Sequence, residues 1–465
     1  MKFSISILLT VAVTLGQLYS QTSDDNYTVP LSEVLDEVRT RYDVAIRDPD
    51  HLVHDQKLTF ALWRFRPGVE KTLFNVLTPF DLEAQKEGEG KYKLKSYRYH
   101  LLSVEEGREK LDHLSSLYND AASWEIRKKE LRSCIIEALE LDILPPAPGS
   151  RPVISNKRKK NGYTVENVGL ETLPGLYVAT SVYRPVKIRG KLPVILCPNG
   201  HFPNGRYHPQ IQERCAALAR MGAIVVNYDL FGYGESRLQV KPEDHRSSLA
   251  MTIQAMNSTR ILDYLLGLPE ADPTRVGITG ASGGGSQTML ISAIDDRICV
   301  GVPVVMMSVI HSGGCPCESG KPIHLCGNGT TNVEIAGMFA PGPQMVITDG
   351  GDWTANVPEL EFPFLARIYS FYNAGSKVKN VHLADEGHDY GPSKRFAMYE
   401  FMATNLGLDI SRIQDKNKEI DESFFIAEDE KDMYVFGEKG ELLPEGAIKS
   451  KQELEQLIES YRTKK

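Results

Sequence analysis

The stretch "GITGASGGGSQT", residues 277–288, holds Gly-x-Ser-x-Gly as Gly280, Ala281, Ser282, Gly283 and Gly284. An apolar run, "RVGIT", precedes it and a helical run follows. A serine on so tight a strand-to-helix turn needs very small neighbours, and the turn lifts its hydroxyl out at the carboxyl end of a sheet. The helix start behind it favours a developing negative charge. The rival reading is a phosphate-cradling loop, but neither Gly-x-x-x-x-Gly-Lys-Ser/Thr nor Gly-x-Gly-x-x-Gly is present at this turn. A serine hydroxyl is inert near neutral pH unless a base takes its proton. His388, in "ADEGHDYG", stands where a Ser…Asp…His chain order requires that base. His51, His54 and His100 lie far N-terminal, and His382 falls within a strand-like run. The acid that fixes the imidazole tautomer should follow the strand before that of His388. There "QMVITDGGDWT" offers Asp349, on the strand edge, and Asp352, a few residues beyond it. The position favours Asp352.

An oxyanion needs two backbone N–H donors. Gly283, next after Ser282, supplies one. The loop after "PVILCPNGH" supplies the other through the backbone of His201, although a plain turn explains that residue equally well. Trp353 reads as a sugar platform or as core, and Arg237 as a reader of a uronate carboxylate or as a helix cap. Cys315, Cys317 and Cys326 crowd into "HSGGCPCESGKPIHLCGN" with His311 and His324. Their spacing matches no common zinc pattern, so no metal and no cofactor is expected. In an exported chain a disulfide from Cys326 to Cys315 or Cys317 is the better expectation. Cys134, Cys197, Cys215 and Cys299 sit in apolar surroundings and read as buried thiols. Seven cysteines leave at least one without a partner in the chain.

These residues need a frame. From about residue 160 the chain alternates β and α: "GLYVATSVYRP", "LPVILCPNG", "AIVVNYDL", "RVGITG", "CVGVPVVM", "PQMVITDG" and "VKNVHLADE" read as strands, with amphipathic helices between several of them. Continuous apolar strands alternating with helices predict an α/β fold, a mostly parallel sheet covered on both faces. Residues 27–100 form a separate α+β pattern: "LSEVLDEVRTRYDVAI" places Leu31, Val34, Leu35, Val38 and Tyr42 on one helical face, and "QKLTFALW" reads as a strand. Residues 101–150 read as a helical connector opened by a Ser103/Glu106 capping box and closed by "LPPAPGSRP". The catalytic domain then spans 151–410. An extension, 411–465, carries a hairpin pattern at "DMYVFGEKGELLP" and a terminal helix.

The 465 residues are 42% hydrophobic and 25% charged, with a formal charge of −8, which excludes a general nucleic-acid binder. "MKFSISILLTVAVTLGQLYS" has the charged start and apolar core of a signal peptide, residues 1–20, cut near Ser20. No later stretch approaches a membrane span. A periplasmic or secreted protein is expected.

"PNGH", "DLFGYGES", "DPTRVGITGASGGG", "DGGDWT" and "EGHDYG" come in the order of an α/β-hydrolase, which residues 160–410 resemble. Within that superfamily the chain resembles exported bacterial acetyl-xylan-esterase-like enzymes and α/β-hydrolase pectin methylesterases. The resemblance implies a serine carbohydrate esterase removing O-acetyl or uronate methyl-ester groups from plant or algal poly- or oligosaccharides. Some related esterases draw the acid from the loop after the preceding strand, which makes Glu318 the alternative to Asp352. Residues 27–100 resemble the short N-terminal domain of secretins and TonB-dependent receptors, an interaction module, which implies an envelope protein partner. Two other readings stay open. A prolyl-oligopeptidase-like peptidase shares the core, but the N-terminal region is too short for its propeller. A non-catalytic envelope binding protein would have lost one of the three chemical roles, and none is missing.

Overall fold

The computed structural model describes residues 29–463 except 59, 60, 81, 97–101 and 203. The signal-peptide segment, residues 1–20, lies outside the described residues. The described residues divide into two compact units, one within residues 29–102 with 455–463 and the other within residues 103–454.

The first unit is small. It runs β1 (Val29–Pro30), α1 (Leu31–Tyr42), β2 (Ala45–Arg47), β3 (Lys57–Leu58), α2 (Ala61–Arg64), α3 (Val69–Leu77), β4 (Leu82–Gly88) and β5 (Lys91–Ser96). The α1 stripe Leu31, Val34, Leu35 and Val38 is fully buried with Leu73, Val76, Leu77 and Leu94. Strand β5 pairs parallel with β2 and antiparallel with β4. The expectation of one strand over "QKLTFALW" fails: its first residues form β3, but Ala61–Arg64 is helical. A short apolar run satisfies either period, and here the helix won.

The second unit opens with α4 (Val104–Ser115) and α5 (Ala121–Ala138). The Ser103/Glu106 capping box forms as expected. Then come β6 (Val153–Lys159), β7 (Tyr163–Leu173), β8 (Leu176–Pro185), β9 (Leu192–Cys197), α6 (Pro209–Met221), β10 (Ile224–Tyr228), α7 (Leu249–Leu266), β11 (Ala271–Ala281), α8 (Gly283–Ile294) and β12 (Val300–Val304). The unit continues with α9 (Pro316–Ser319), α10 (Asn332–Gly337), β13 (Gln344–Asp349), α11 (Glu361–Ser370), β14 (Val378–Leu383) and α12 (Pro392–Leu406). A last helix, α13 (Lys451–Arg462), crosses from the second unit's residues to the first's.

Among the described residues one sheet of nine strands runs in the order β14-β13-β12-β11-β9-β10-β8-β7-β6. Strands β9 to β14 are parallel, and β6, β7 and β8 extend the sheet antiparallel beyond β10. The parallel strands β9 to β13 are almost wholly buried, as continuous apolar runs between two helical layers must be. Their registers, Ala281 against Val304, Val304 against Ile347 and Asp349 against Leu383, bring the carboxyl ends of β11, β12, β13 and β14 to one edge. Loops from that edge therefore share one surface.

Helix α5 is bound to this unit at both ends. Arg127 on α5 donates to Glu334 at 3.0 and 3.1 Å, and a disulfide joins Cys134 to Cys326 with a Cα–Cα distance of 5.7 Å. The disulfide corrects the sequence expectation twice: Cys326 does not pair with Cys315 or Cys317, and Cys134 is not a thiol. The turn Pro322–Asn328 packs on α5, so Cys326 faces the helix rather than its own loop. Cys299 is only partly buried, whereas Cys197 and Cys215 are buried as expected.

The expected hairpin at "DMYVFGEKGELLP" is also absent. Met433, Val435 and Phe436 are buried in a strap whose amides at 435 and 436 donate to the Glu235 carboxylate at 2.7–2.8 Å. Its apolar alternation matches the surface it docks on, not a partner strand.

Candidate active site

Ser282 sits between β11 and α8 with φ 56° and ψ −124°, a left-handed backbone that costs an L-residue energy and is held only by its surroundings. Those surroundings are glycine and backbone. A Cβ on Gly280 would lie 2.6 Å from the Pro198 carbonyl oxygen, and one on Gly284 would lie 2.4 Å from the same atom. The Ser282 amide donates to Val304 O at 3.1 Å, tying the turn to β12. The hydroxyl caps no amide of α8, so it is left for other chemistry. Gly283 is the first residue of α8, as a donor beside Ser282 should be.

The loop after β9 passes directly over this turn. A Cβ on Gly200 would meet the Ala281 carbonyl oxygen at 2.7 Å and Ser282 Cβ at 3.2 Å, so only glycine fits. Buried Asn199 anchors the loop from below, donating to Tyr228 O at 2.9 Å and accepting from Asn227 at 2.6 Å. This places His201 next to the serine turn.

Asp352 and His388 are brought together. Asp352 Oδ2 accepts from His388 Nδ1 at 2.6 Å, while its Oδ1 accepts from the Thr354 amide and hydroxyl, both at 2.6 Å. The Asp352 side chain is 3% exposed and that of His388 is 32% exposed, so the acid is shielded and the imidazole reaches solvent. With Nδ1 committed to the carboxylate, Nε2 is the free nitrogen. Trp353 stacks its ring between His311 (4.3 Å) and His388 (4.6 Å).

Asp349 does something else. It is buried at the end of β13 and pairs with buried Lys394 at 3.2 Å; Lys394 also donates to Gly387 O and Asp389 at 2.6 and 2.8 Å. Burial and the Asp352 charge raise the Asp349 carboxyl above the ordinary range despite the ammonium. Lys394 thus pins the turn that carries His388 to the end of β13, from which the Asp352 loop departs. A hydroxyl pair, Thr279 on β11 with Tyr390 at 2.7 Å, ties that turn to the serine's own strand. His382 is held in its strand by Thr348 at 2.9 Å.

Glu318 makes no hydrogen bond to His388. Its Oε2 accepts from the Cys315 amide at 3.2 Å and its Oε1 from Ser286 at 3.4 Å, facing α8 and His201. Burial raises its pKa in spite of His201. Arg237 donates to Gly232 O at 3.3 Å and caps no helix. The "DLFGYGES" turn is pinned by Arg206, wholly buried, on Asp229 (3.3 Å) and Glu235 (2.7 Å).

Sequence reasoning missed one cluster. His201, His245, Cys315 and Cys317 each point one donor atom into a shared space, all within 4.8 Å of one another. The set first considered does not assemble: Cys326 is in its disulfide, His311 stacks on Trp353, and His324 bonds Asn332 at 2.9 Å. His245 carries no signal in the sequence, because "KPEDHRSS" lies 70 residues before Cys315 and matches no motif. Within the cluster, the hydrogen bond from Cys317, joined by those of His201 and His245, holds the Cys315 thiol well below the ordinary range, although burial opposes the shift. For His201, burial lowers the pKa, but Cys315 and the Glu318 charge outweigh it and raise it.

No protein-family model matches the chain. Its structure is similar to that of Methylesterase BT1017, with 46% sequence identity, a TM-score of 0.75, and coverage of 96% of this chain and 99% of that one. Over 214 residues the sequence is 29% identical to 4-O-methyl-glucuronoyl methylesterase 1 of Sodiomyces alcalophilus, covering 44% of this chain. The match spans 38% of that relative's own length.

Proposed function

Because the chain belongs to the family of α/β-hydrolase-type carbohydrate esterases that includes Methylesterase BT1017, we propose that it removes ester groups from a polysaccharide or oligosaccharide by a Ser282–His388–Asp352 mechanism. The observation that carries this reading is the 2.6 Å Asp352–His388 bond on the sheet edge where Ser282 stands in its left-handed turn. Ser282 Oγ attacks the ester carbonyl while His388 Nε2 takes its proton, and Asp352 steadies the imidazolium. The Gly283 and His201 amides hold the tetrahedral oxyanion. His388 then returns the proton to the departing alkoxide, and water releases the acyl-enzyme by the same steps. Trp353 offers the sugar a flat apolar wall beside the base.

Both relatives are named methylesterases, and one of the names specifies a glucuronoyl group, which favours a uronate methyl ester, with methanol as the first product, over an O-acetyl group. We also infer export, from the leader-like residues 1–20, and an envelope partner for residues 27–100, from their resemblance to a secretin-type module. Among the described residues no helix is long and apolar enough to cross a membrane.

The test uses methyl-esterified pectin and acetylated xylan, reading methanol and acetate. The parent should release methanol, and Ser282→Ala should lower that rate by a factor of about 10⁴ or more. A Ser282→Ala protein that keeps the parental rate refutes the nucleophile. Acetate without methanol moves the substrate to O-acetyl esters.

A further inference from the structure

We propose that His201, His245, Cys315 and Cys317 form a zinc site that joins three loops beside the Ser282 turn. The donors come from the loop after β9 (His201), the turn Pro242–Arg246 (His245) and the loop preceding and opening α9 (Cys315, Cys317). His201 Nε2 lies 3.0 Å from His245 Nε2 and 3.1 Å from Cys317 Sγ. A tetrahedral ion with Zn–N of about 2.0 Å and Zn–S of about 2.3 Å has donor–donor edges of roughly 3.3 to 3.8 Å. The two shortest separations fall a few tenths of an ångström below those edges and all four donors lie within 4.8 Å of one another, so an ion enters with shifts of up to about 1 Å in side chains already aimed at it.

The tautomer argument is independent of distance. Phe231 O accepts from His245 Nδ1 at 2.6 Å, which puts the proton on Nδ1 and leaves a lone pair on the Nε2 that faces the cluster. A ligand histidine is characteristically oriented by such a carbonyl on its other nitrogen. His245 and both cysteines are buried and His201 is half-buried, so three of the four donor residues are shielded from solvent. Two imidazoles and two thiolates filling four positions describe a structural zinc site, with no open position for catalysis. Binding requires both sulfurs as thiolates and both Nε2 lone pairs free, so it competes with protons.

The site's place in the molecule gives it a consequence. A Cβ on Gly283 would meet His201 Cε1 at 3.1 Å and Nδ1 at 3.3 Å, so the His201 ring lies against the start of α8. An ion on Nε2 fixes that ring from behind and with it the backbone of residues 199–201. The metal therefore positions the second oxyanion donor and takes no part in the chemistry. This consequence rests on the esterase reading; the metal site does not.

The experiment uses the full chain, purified without chelator. Elemental analysis should find about one zinc per chain. Cobalt exchanged for it should show the intense visible bands of a tetrahedral ion and a near-ultraviolet thiolate charge-transfer band. Cys317→Ser should weaken that band and lower metal content, and His245→Ala should lower metal content too. A measurement that needs no variant accompanies these: Cys315 and Cys317 should resist alkylation with zinc bound and react after chelation. Metal-free protein that takes up no zinc or cobalt, or a Cys315–Cys317 disulfide found by mass spectrometry in metal-free protein, overturns the site. For the positioning role, stripping zinc should lower kcat at least tenfold with KM little changed, and zinc should restore it. Stripped protein with an unchanged kcat overturns that role while leaving the Ser282 assignment untouched.

Discussion

Asp349 ends β13 and Asp352 stands three residues further on in the loop that follows, and the structure gives them different partners. Asp349 is turned into the core to meet Lys394, while Asp352 Oδ2 remains for His388 after Thr354 has taken Oδ1. An acid in that position works by fixing the imidazole proton on Nδ1, so replacing it by an amide should spoil the tautomer without disturbing packing. Asp352→Asn should therefore lower kcat by about 10³–10⁴-fold with little change in KM. Glu318→Gln should keep most of the activity, because that carboxylate bonds the Cys315 amide and Ser286 rather than His388. Steady-state kinetics of the two variants on one chromogenic ester decide the matter. The opposite ranking would make Glu318 the acid and Asp352 a loop support. The Ser282 turn and the Asp352–His388 pair were legible in the sequence because a glycine-flanked strand-to-helix turn is a local pattern, and the two later residues stand in a fixed chain order. The four-donor cluster was not, since its residues meet only after three loops fold over one turn.

At the scale of elements, the segment Pro322–Asn328 with α10 shows what local patterns leave out. Cys326 closes a loop of 192 residues onto Cys134 of α5, worth about 5 kcal/mol in the chain-entropy account. Nothing in the spacing of the seven cysteines could select that pair. Two residues earlier, His324 donates from Nε2 to Asn332, the first residue of α10. Burial, with Lys110 nearby, pushes its pKa down from 6.5 to about 4, although the Asn332 bond opposes the shift. The folded state then refuses a proton that the unfolded chain accepts. Its contribution to stability is complete above pH 6.5 and is lost as the pH falls through about 4. The melting temperature should fall over that window, and His324→Gln, which keeps an N–H for Asn332, should flatten the slope there while costing some stability at neutral pH. Thermal melts of parent and variant at several pH values check this; identical slopes would show that other groups set the acid limit.

Across the whole molecule, sequence patterning located the parallel strands of the sheet and the N-terminal α1 stripe, because buried strands and amphipathic helices announce themselves by period. It failed where an element takes its form from a distant surface. Residues 433–436 alternate like a hairpin strand and are a strap on Glu235 instead. The domain boundaries likewise follow packing rather than composition. The sequence pattern reads residues 101–150 as a connector, yet Arg127 and Cys134 bind α5 to elements of the unit that holds the sheet. Residues 455–465 end the chain but group with the N-terminal unit. Ser282, Asp352, His388, the zinc donors, the disulfide and the sheet all fall within residues 103–454. A chain of those residues alone should therefore fold cooperatively and hydrolyse a small chromogenic ester with the parental kcat/KM. Any loss should be confined to polymeric substrate or to a partner that residues 29–102 engage. Calorimetry gives the folding, and kinetics on the small ester gives the site. A truncated chain that fails to fold would show that residues 103–454 depend on the rest of the chain for stability, and one that folds yet leaves the small ester intact would show that the removed residues support the site.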